Sequence, residues 1–371
     1  MRVVVIGAWA PSLLNFRKPL LAAMVARGHE VIGMGAQGTD KIRDELAGMG
    51  VRFEELVLER AGIDPLADLR TIATLVRQLR ALEPDLVFAY TIKPVIYGSI
   101  AARLAGVRHR AVMITGLGYA LTRARSAKQR IVSTVARSLY RLALAQCEVI
   151  LFQNADDRGD LEKLGLVPRE AKVAIVRGSG VDLEHYEVSP LPEGPPVFLF
   201  LGRLLRDKGI GELVEAAAAV RARHPQARFQ VVGWFDPNPE SASRADVDQW
   251  VASGAIEYLG ETEDVRPYLR AAHALILPSY REGTPRSVLE AMSMGRAVIT
   301  TDAPGCRDTI IDGESGLVVP VGDAKALTAA ALRLVEDRAL LARLAAAGRR
   351  RVEDLYDARK VAAQMLETMR L

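Results

Sequence analysis

Residues 197–209 read VFLFLGRLLRDKG. Five consecutive apolar residues, Val197–Leu201, run straight into a glycine. An unbroken apolar run of that length suits a strand covered on both faces. The loop behind it is bounded by Gly202 and Gly209, carries Arg203 and Lys208, and leads into a long helical segment. Strand, glycine-bounded loop and helix make the repeating unit of a parallel sheet with helices on both sides.

Moving outward, the same unit recurs almost throughout. Toward the N-terminus, apolar runs predict strands at Val3–Ile6, Glu30–Met34, Leu86–Tyr90, Arg110–Ile114 and Val149–Gln153. Toward the C-terminus they predict strands at Arg228–Val232, Ile256–Leu259, Ala274–Leu277, Ala297–Thr300 and Gly316–Val319. The proline-rich stretch 187–196 breaks the series, since prolines cluster in connectors. The fold class is therefore α/β, with two Rossmann-like doubly wound domains expected to face each other across a cleft. Residues 1–186 form the first domain, 187–196 the linker and 197–353 the second domain. The final helical stretch from Asp337 to Leu371 is rich in Ala, Leu, Arg and Glu, all good helix formers. Its last part, 354–371, is expected to cross back to the first domain. Ligands in open parallel sheets bind beyond the carboxyl ends of the strands, so function is sought in those loops.

Composition narrows the classes of function. At 371 residues, half of them apolar, the chain has material for two buried cores. No apolar run approaches the ~20 residues that span a bilayer, and the opening MRVVVIG lacks a basic-then-apolar leader, so a cytoplasmic location is expected. Cys147 and Cys306 stand alone, without metal-ligand spacing, and read as inert thiols. A formal charge of +4 and few aromatic residues argue against nucleic acid as a partner.

Arg203 and Lys208 in a loop at a strand's carboxyl end can meet a diphosphate through charge-assisted bonds. Taken alone, they fit a solvated loop equally well. After the strand ALILP comes SYREGTPRSVLEAMSMG, in which Glu282 and Glu290 are separated by seven residues. Gly283 and Pro285 lie between them, and Pro285 suits the start of a helix, whose first amides would receive a phosphate oxygen, with Thr284 and Arg286 through Val288 nearest. Glu290 falls in that helix with apolar neighbours Val288, Leu289, Ala291 and Met292. A carboxylate so placed is either a surface residue or a buried group needing partners, and a ribose supplies two hydroxyls to it. Glu282 would lie beside the sugar.

GRLLRDKG followed by EGTPRSVLE resembles the donor half of glycosyltransferase family 4, retaining enzymes of the GT-B fold. The resemblance implies that Arg203 and Lys208 hold a donor diphosphate, that Glu290 holds the ribose and that Glu282 contacts the transferred sugar. It makes Arg203, Lys208 and Glu282 the catalytic set. Donor binding would also draw on Gly202 of the first loop, and on Gly233, Thr262, Glu263 and Val265, placed by position alone around the nucleotide base. The co-substrate implied is a nucleotide sugar, most often UDP-linked, with no other cofactor and no metal. A front-face transfer, in which the leaving diphosphate takes the acceptor proton, is the family's usual proposal. Asp246-Val-Asp248 has the form of a metal-binding Asp-x-Asp, yet it sits in SRADVDQWVAS, which reads as a solvent-facing helix.

The first half carries no G-x-G-x-x-G after its opening strand, which counts against a nicotinamide or flavin site. Asn15, Phe16, Arg17 and Lys18 stand where a helix ending at Gly28 is expected to begin, and serve either as phosphate contacts or beside a cap at Ser12 or Asn15. Lys93, Pro94, Tyr97, Thr115, Gly116 and Gly118 lie at the ends of the next cleft-facing strands. SLLNFRKPL, KPVIYGS, TGLGYALT and FQNADDR together resemble a narrower group, bacterial N-acetylgalactosaminyl- and galactosyl-type transferases acting on undecaprenyl-diphosphate-linked sugars. That resemblance implies a polyprenyl-diphosphate-linked saccharide as acceptor, a hexose or N-acetylhexosamine as cargo, and Asn15, Arg17, Lys93, Tyr97, Thr115 and Gly116 as acceptor contacts. Many family members have a histidine where Thr115 falls; His109, the nearest here, reads as a loop residue.

Between Asp85 and Glu148 no acidic residue occurs, while Lys93, Arg103, Arg108, Arg110, Arg123, Arg125, Lys128, Arg130, Arg137 and Arg141 are basic. A helix from near Ser126 would carry Arg130, Arg137 and Arg141 on one stripe and Ile131, Val135, Leu139 and Leu142 on another. Such a face suits an anionic membrane surface, at ~1 kcal/mol per cation, or an ordinary solvated helix. The expectation is a peripheral enzyme on the inner face of the cytoplasmic membrane. Competing readings are a soluble transferase with a small acceptor, a sugar-nucleotide 2-epimerase, which would need acid and base groups the first half scarcely offers, and a catalytically silent sugar-nucleotide-binding module.

Overall fold

Val197–Leu201, Leu86–Tyr90 and Ala297–Thr301 are buried along their whole lengths, which places such runs inside sheets with helices on both faces. A computed structural model describes residues 1–57, 65–117, 127–236, 238 and 240–371, with the backbone alone for 65, 66 and 127–132. The chain divides into two compact units, Met1–Ser179 with Ala358–Leu371, and Gly180–Asp357.

The first unit runs β1 (Arg2–Ile6), α1 (Pro11–Ala26), β2 (Glu30–Gly35), α2 (Asp40–Gly48), β3 (Val51–Glu55), α3 (Pro65–Leu82), β4 (Leu86–Tyr90), α4 (Ile92–Ala105), β5 (His109–Ile114), α5 (Ala127–Leu144), β6 (Val149–Phe152), α6 (Ala155–Lys163) and β7 (Lys172–Ile175). Its strands are parallel in the order β3-β2-β1-β4-β5-β6-β7. Alternation along a strand sends successive side chains to opposite faces. Val4, Ile6, Ile32 and Val87 accordingly pack with Leu75, Leu79 and Ala101, whereas Val3, Val5, Val31 and Phe88 pack with Leu13, Leu20 and Met365.

The second unit runs β8 (Val197–Leu201), α7 (Ile210–Arg223), β9 (Arg228–Val232), α8 (Arg244–Ala252), β10 (Glu257–Tyr258), α9 (Arg266–Ala271), β11 (Ala274–Leu277), α10 (Arg286–Ser293), β12 (Ala297–Thr301), β13 (Leu317–Val319), α11 (Ala324–Glu336) and α12 (Arg338–Leu355). The parallel order is β10-β9-β8-β11-β12-β13. In both sheets the winding reverses once, between β1 and β4 and between β8 and β11. Loops leaving the carboxyl ends of such a strand pair diverge and open a crevice.

Several expectations need correction. The helix expected to begin near Asn15 begins at Pro11, which occupies the first turn, and Ala10 makes no side-chain cap. Asn15, Phe16, Arg17 and Lys18 are therefore inside α1, and Ser12 bonds the Trp9 carbonyl and Tyr90 rather than capping. β3 and β7 were not expected; both are sheet edges, and their partly exposed residues lack a long apolar run. The C-terminal helix is two, α12 and α13 (Ala358–Met369). The break falls where Tyr356 is buried, bonding the Asp308 carbonyl through its hydroxyl at 2.7 Å and receiving the Val181 amide at 2.8 Å. α13 lies in the first unit and packs on α1. His109 opens β5 and contacts Glu148 at 2.9 Å, so it is not a loop residue.

Residues 187–196 contain no helix or strand. Arg296, fully buried, holds this stretch by donating to the carbonyls of Ser189 at 2.8 Å and Pro190 at 2.9 Å. At its end the Val197 amide donates to Nδ1 of His273 at 3.1 Å. Burial pushes the His273 pKa down to about 4, so it acts as a neutral acceptor that fixes the start of β8.

Candidate active site

The winding reversal of the second unit sits between β8 and β11, so the loops after those strands frame the crevice. After β8 the chain is pinned before it reaches its cations. The Leu204 amide donates to the Trp234 carbonyl at 3.1 Å, the Ala242 amide donates to the Leu204 carbonyl at 2.7 Å, and Leu204 and Leu205 are buried. A single 3-10 turn, Arg206–Lys208, follows and ends at Gly209, whose φ is +71°. A Cβ on Gly209 would lie 2.2 Å from the Pro278 carbonyl oxygen. Only glycine lets this loop lie against the end of β11.

That approach brings the expected groups together. Lys208 Nζ contacts Glu282 Oε1, and Ser279 Oγ donates to the same oxygen at 2.8 Å. The Lys208 and Glu282 side chains are each 15% exposed. A third loop supports the pair from behind: the Glu282 amide donates to the Pro304 carbonyl at 3.0 Å, and a Cβ on Gly305 would fall 2.3 Å from the carbonyl oxygens of Glu282 and Gly283. Arg203, 44% exposed, donates to Asp236 Oδ2 at 3.0 Å. Between the two cations, Asp207 has a buried Oδ1 without a hydrogen-bond partner. Burial raises its pKa, opposed by Lys208 and raised further by Glu282.

α10 begins at Arg286 with Pro285 as its N-cap, so its first-turn amides have no intrahelical acceptor. Gly283 and Thr284 lead into it. In the second turn Glu290 is only 8% exposed. Its Oε1 accepts from the Tyr186 hydroxyl at 3.0 Å and pairs with Arg286 at 2.9 Å. Burial raises the Glu290 pKa, and Arg286 and Tyr186 pull it back. The apolar neighbours of Glu290 thus did signal burial.

Gly233 follows β9. A Cβ there would come 1.8 Å from the Gly202 carbonyl oxygen, so its absence lets two crevice loops touch. Thr262 folds its own turn, bonding the Asp264 carbonyl at 2.9 Å and amide at 3.1 Å, and Val265 packs on the core at the start of α9. In the first unit the expected acceptor residues form two groups. Arg17, 2% exposed, stacks on the Tyr90 ring at 4.5 Å and reaches Met113 Sδ at 3.1 Å. Lys93 pairs with Asp68 at 3.7 Å, and the buried Tyr97 hydroxyl bonds the same carboxylate, with burial and Asp68 raising its pKa. Asn15 is exposed on α1, and Thr115 and Gly116 follow β5 half-buried. Gly118, Arg123 and Arg125 lie outside the described residues, as do the side chains of Lys128, Arg130 and Ile131.

Two family models match the chain: "Glycosyl transferases group 1" over residues 195–337 and "Glycosyl transferase 4-like domain" over 18–178. A Campylobacter jejuni relative, N,N'-diacetylbacillosaminyl-diphospho-undecaprenol alpha-1,3-N-acetylgalactosaminyltransferase, is 30% identical over 93% of this chain and 92% of its own. This chain belongs to glycosyltransferase family 4. An Escherichia coli family member, UDP-Gal:alpha-D-GlcNAc-diphosphoundecaprenol alpha-1,3-galactosyltransferase, is 27% identical over 75% of this chain and 73% of its own. Among solved structures, sucrose-phosphate synthase from Thermosynechococcus elongatus has a TM-score of 0.81 at 21% identity, covering 100% of this chain and 98% of that one. An Anabaena protein crystallised with UDP has a TM-score of 0.78 at 17% identity, covering 100% of both chains. The fold of this glycosyltransferase is accordingly GT-B.

Within the family 4 frame, the groups that the sequence pattern missed are Asp236, Ser279, Asp207 and Tyr186. Asp207 adjoins Lys208 and Ser279 stands three residues before Glu282, so both are readable beside those residues; Asp236 and Tyr186 meet their partners only through tertiary contact. Asp246 accepts from the Ser243 amide at 2.8 Å and hydroxyl at 2.7 Å as part of a capping box, and Asp248 is exposed, so this Asp-x-Asp serves a helix start. Burial pushes the Cys147 thiol up to about 11 and Cys306 up to about 12, leaving both unreactive.

Proposed function

We propose that this glycosyltransferase moves a hexose or N-acetylhexosamine from a UDP-sugar to a polyprenyl-diphosphate-linked saccharide, with retention and without a metal, during cell-surface glycan assembly. The observation that carries the reading is the meeting of Lys208 with Glu282 at the β8–β11 reversal, with Arg203 and the start of α10 on loops of the same crevice. Relatives whose names specify undecaprenyl-diphosphate acceptors and alpha-1,3 products support the acceptor class and the stereochemistry. An alpha product from an alpha-linked sugar nucleotide is transfer with retention.

In the mechanism, the bond between the sugar's anomeric carbon and the β-phosphate oxygen breaks. Negative charge develops on the diphosphate, and Arg203, Lys208 and the α10 amides stabilise it in place of a metal. The acceptor hydroxyl adds to the anomeric carbon on the face the diphosphate leaves, and its proton passes to a leaving phosphate oxygen. Glu282 contacts the sugar and Glu290 the ribose. Gly202, Gly233, Thr262, Val265, Gly283, Thr284, Pro285 and Arg286 complete the donor site, and Asn15, Arg17, Lys93, Tyr97, Thr115 and Gly116 the acceptor side.

We place the enzyme, as a peripheral protein, on the inner face of the cytoplasmic membrane. Among the described residues no helix is long and apolar enough to cross a bilayer. On α5, Val135 and Leu142 are 46% and 52% exposed beside exposed Arg137 and Arg141, and Leu104 beside Arg103 adds to the patch on α4. Cations near apolar groups suit an anionic surface. Thermal shift across UDP-, GDP- and ADP-sugars tests the donor, because at equal concentration the tighter-binding ligand raises apparent stability more, as the logarithm of concentration over Kd. Transfer to a lipid-diphosphate-linked saccharide in EDTA tests the reaction, and no transfer with any of the three donors refutes it. Salt-insensitive absence from floated anionic liposomes refutes the membrane contact.

A further inference from the structure

We propose that Tyr186 is a positioning residue for ribose recognition, holding Glu290 so that one carboxylate oxygen is fixed by the protein and the other is left for the nucleotide. The inference rests on the donor-site reading of Glu290. It adds a residue from the segment ahead of the second sheet, far from every motif that defines the site.

The geometry carries it. An ionised carboxylate offers about four lone-pair sites, two on each oxygen. The Tyr186 hydroxyl and Arg286 both meet Oε1 of Glu290, which uses that oxygen's share. Oε2 then has two acceptor directions for the two hydroxyls of a ribose. A glutamate otherwise samples many rotamers, and ordering it at the moment of binding would weaken affinity. Here the cost is met beforehand, because Tyr186 is itself fixed.

Tyr186 is 8% exposed, and its main chain is tied to the helix that bears Glu290. Ser293 Oγ, on α10, donates to the Tyr186 carbonyl at 2.7 Å. Arg349 of α12 reaches that carbonyl at 3.4 Å and Ser293 Oγ at 3.1 Å, while its Nε holds Glu353 at 2.6 Å. The His185 ring stands edge-on to the Tyr186 ring with centroids 4.9 Å apart. Main chain, ring and hydroxyl are all constrained, so the phenol presents its proton to Oε1 in one orientation.

Binding of UDP and of 2′-deoxy-UDP to the full-length protein by calorimetry tests the role, with Tyr186→Phe and Glu290→Gln as variants. Phenylalanine keeps the ring packing and removes only the hydroxyl. Losing one hydrogen bond to a charged group should weaken UDP binding about tenfold in Tyr186→Phe. Binding of 2′-deoxy-UDP, already weaker, should change only about threefold, since half of what Oε2 recognises is gone. Equal losses for both nucleotides, or none for either, overturn the positioning role and leave a merely structural hydroxyl. If Glu290→Gln binds UDP normally, or UDP does not bind the unaltered protein, the ribose reading itself falls and this inference with it. If Glu290→Gln weakens UDP binding while Tyr186→Phe does not, only the role of Tyr186 is lost.

Discussion

Lys208 and Glu282 form an ion pair across 74 residues of sequence. Each side chain is mostly buried, so each charge lowers the cost of holding the other in the crevice. The pair shows how a lysine proposed to meet a diphosphate can be held there without one.

Replacing Lys208 with alanine should therefore do two things. It removes a donor to the developing charge, for which a turnover loss of about 10²–10³ is expected, and it takes from Glu282 its ion-pair partner while Ser279 Oγ remains. Glu282→Gln should leave UDP affinity nearly intact while lowering turnover, because Lys208 remains. Steady-state kinetics with calorimetry separates the two, and near-normal turnover in Lys208→Ala would count against the diphosphate role.

Arg203 differs because it is open to solvent and pairs with Asp236. An exposed pair contributes about 0.2–1 kcal/mol to stability, so Arg203→Ala should melt close to the parent while losing about 10²–10³ in turnover. If Arg203 meets a phosphate as proposed, Asp236 competes with it for the guanidinium. Removing its charge in Asp236→Asn should tighten UDP binding about two- to fivefold, the ratio that such a pair energy allows. Weaker binding instead identifies Asp236 as an orienting group.

Much of this was legible before any coordinates. Val197–Leu201, Leu86–Tyr90 and Ala274–Leu277 are strands with the bounds that their apolar runs indicate, because a strand buried on both faces has nothing polar to blur its ends. Val51–Glu55 and Lys172–Ile175 escaped notice because edge strands face solvent and mix polar with apolar residues. The start of α1 was misplaced because Pro11 supplies the helix start without any polar cap. In the site, Arg203, Lys208, Glu282 and Glu290 stand in a recognisable pattern. Asp236 and Tyr186 do not, since their partners lie 33 and 104 residues away and only packing brings them together.

Gly305 offers a test of the loop behind Glu282. Its φ of +77° disfavours a side chain, and a Cβ would press on the carbonyls of Glu282 and Gly283. Gly305→Ala should cost about 1–3 kcal/mol, or about 2–4 °C of melting temperature per kcal/mol for a unit of this size. Turnover should fall more than stability implies, because the displaced group is Glu282. A variant that melts lower yet turns over normally would separate the loop's position from catalysis.

The last expectation concerns pH. Burial raises the Glu290 pKa above the usual glutamate range, with Arg286, Tyr186 and the nearby His185 opposing it. For a carboxyl with a raised folded-state value, stability is favoured below the unfolded value and lost as pH rises through the folded one. Binding in the proposed role runs the other way, since protonating Glu290 removes acceptor capacity that the ionised carboxylate would offer to ribose hydroxyls. The dissociation constant for UDP should therefore climb as pH falls, starting at a higher pH than an ordinary glutamate gives. Asp207 also titrates near the site, its pKa raised by burial, so the attribution needs a separate variant. Glu290→Gln should flatten the acid limb, whereas Asp207→Asn should leave it in place. A limb that survives Glu290→Gln and vanishes with Asp207→Asn would move the acid-sensitive group from the ribose contact to the diphosphate loop.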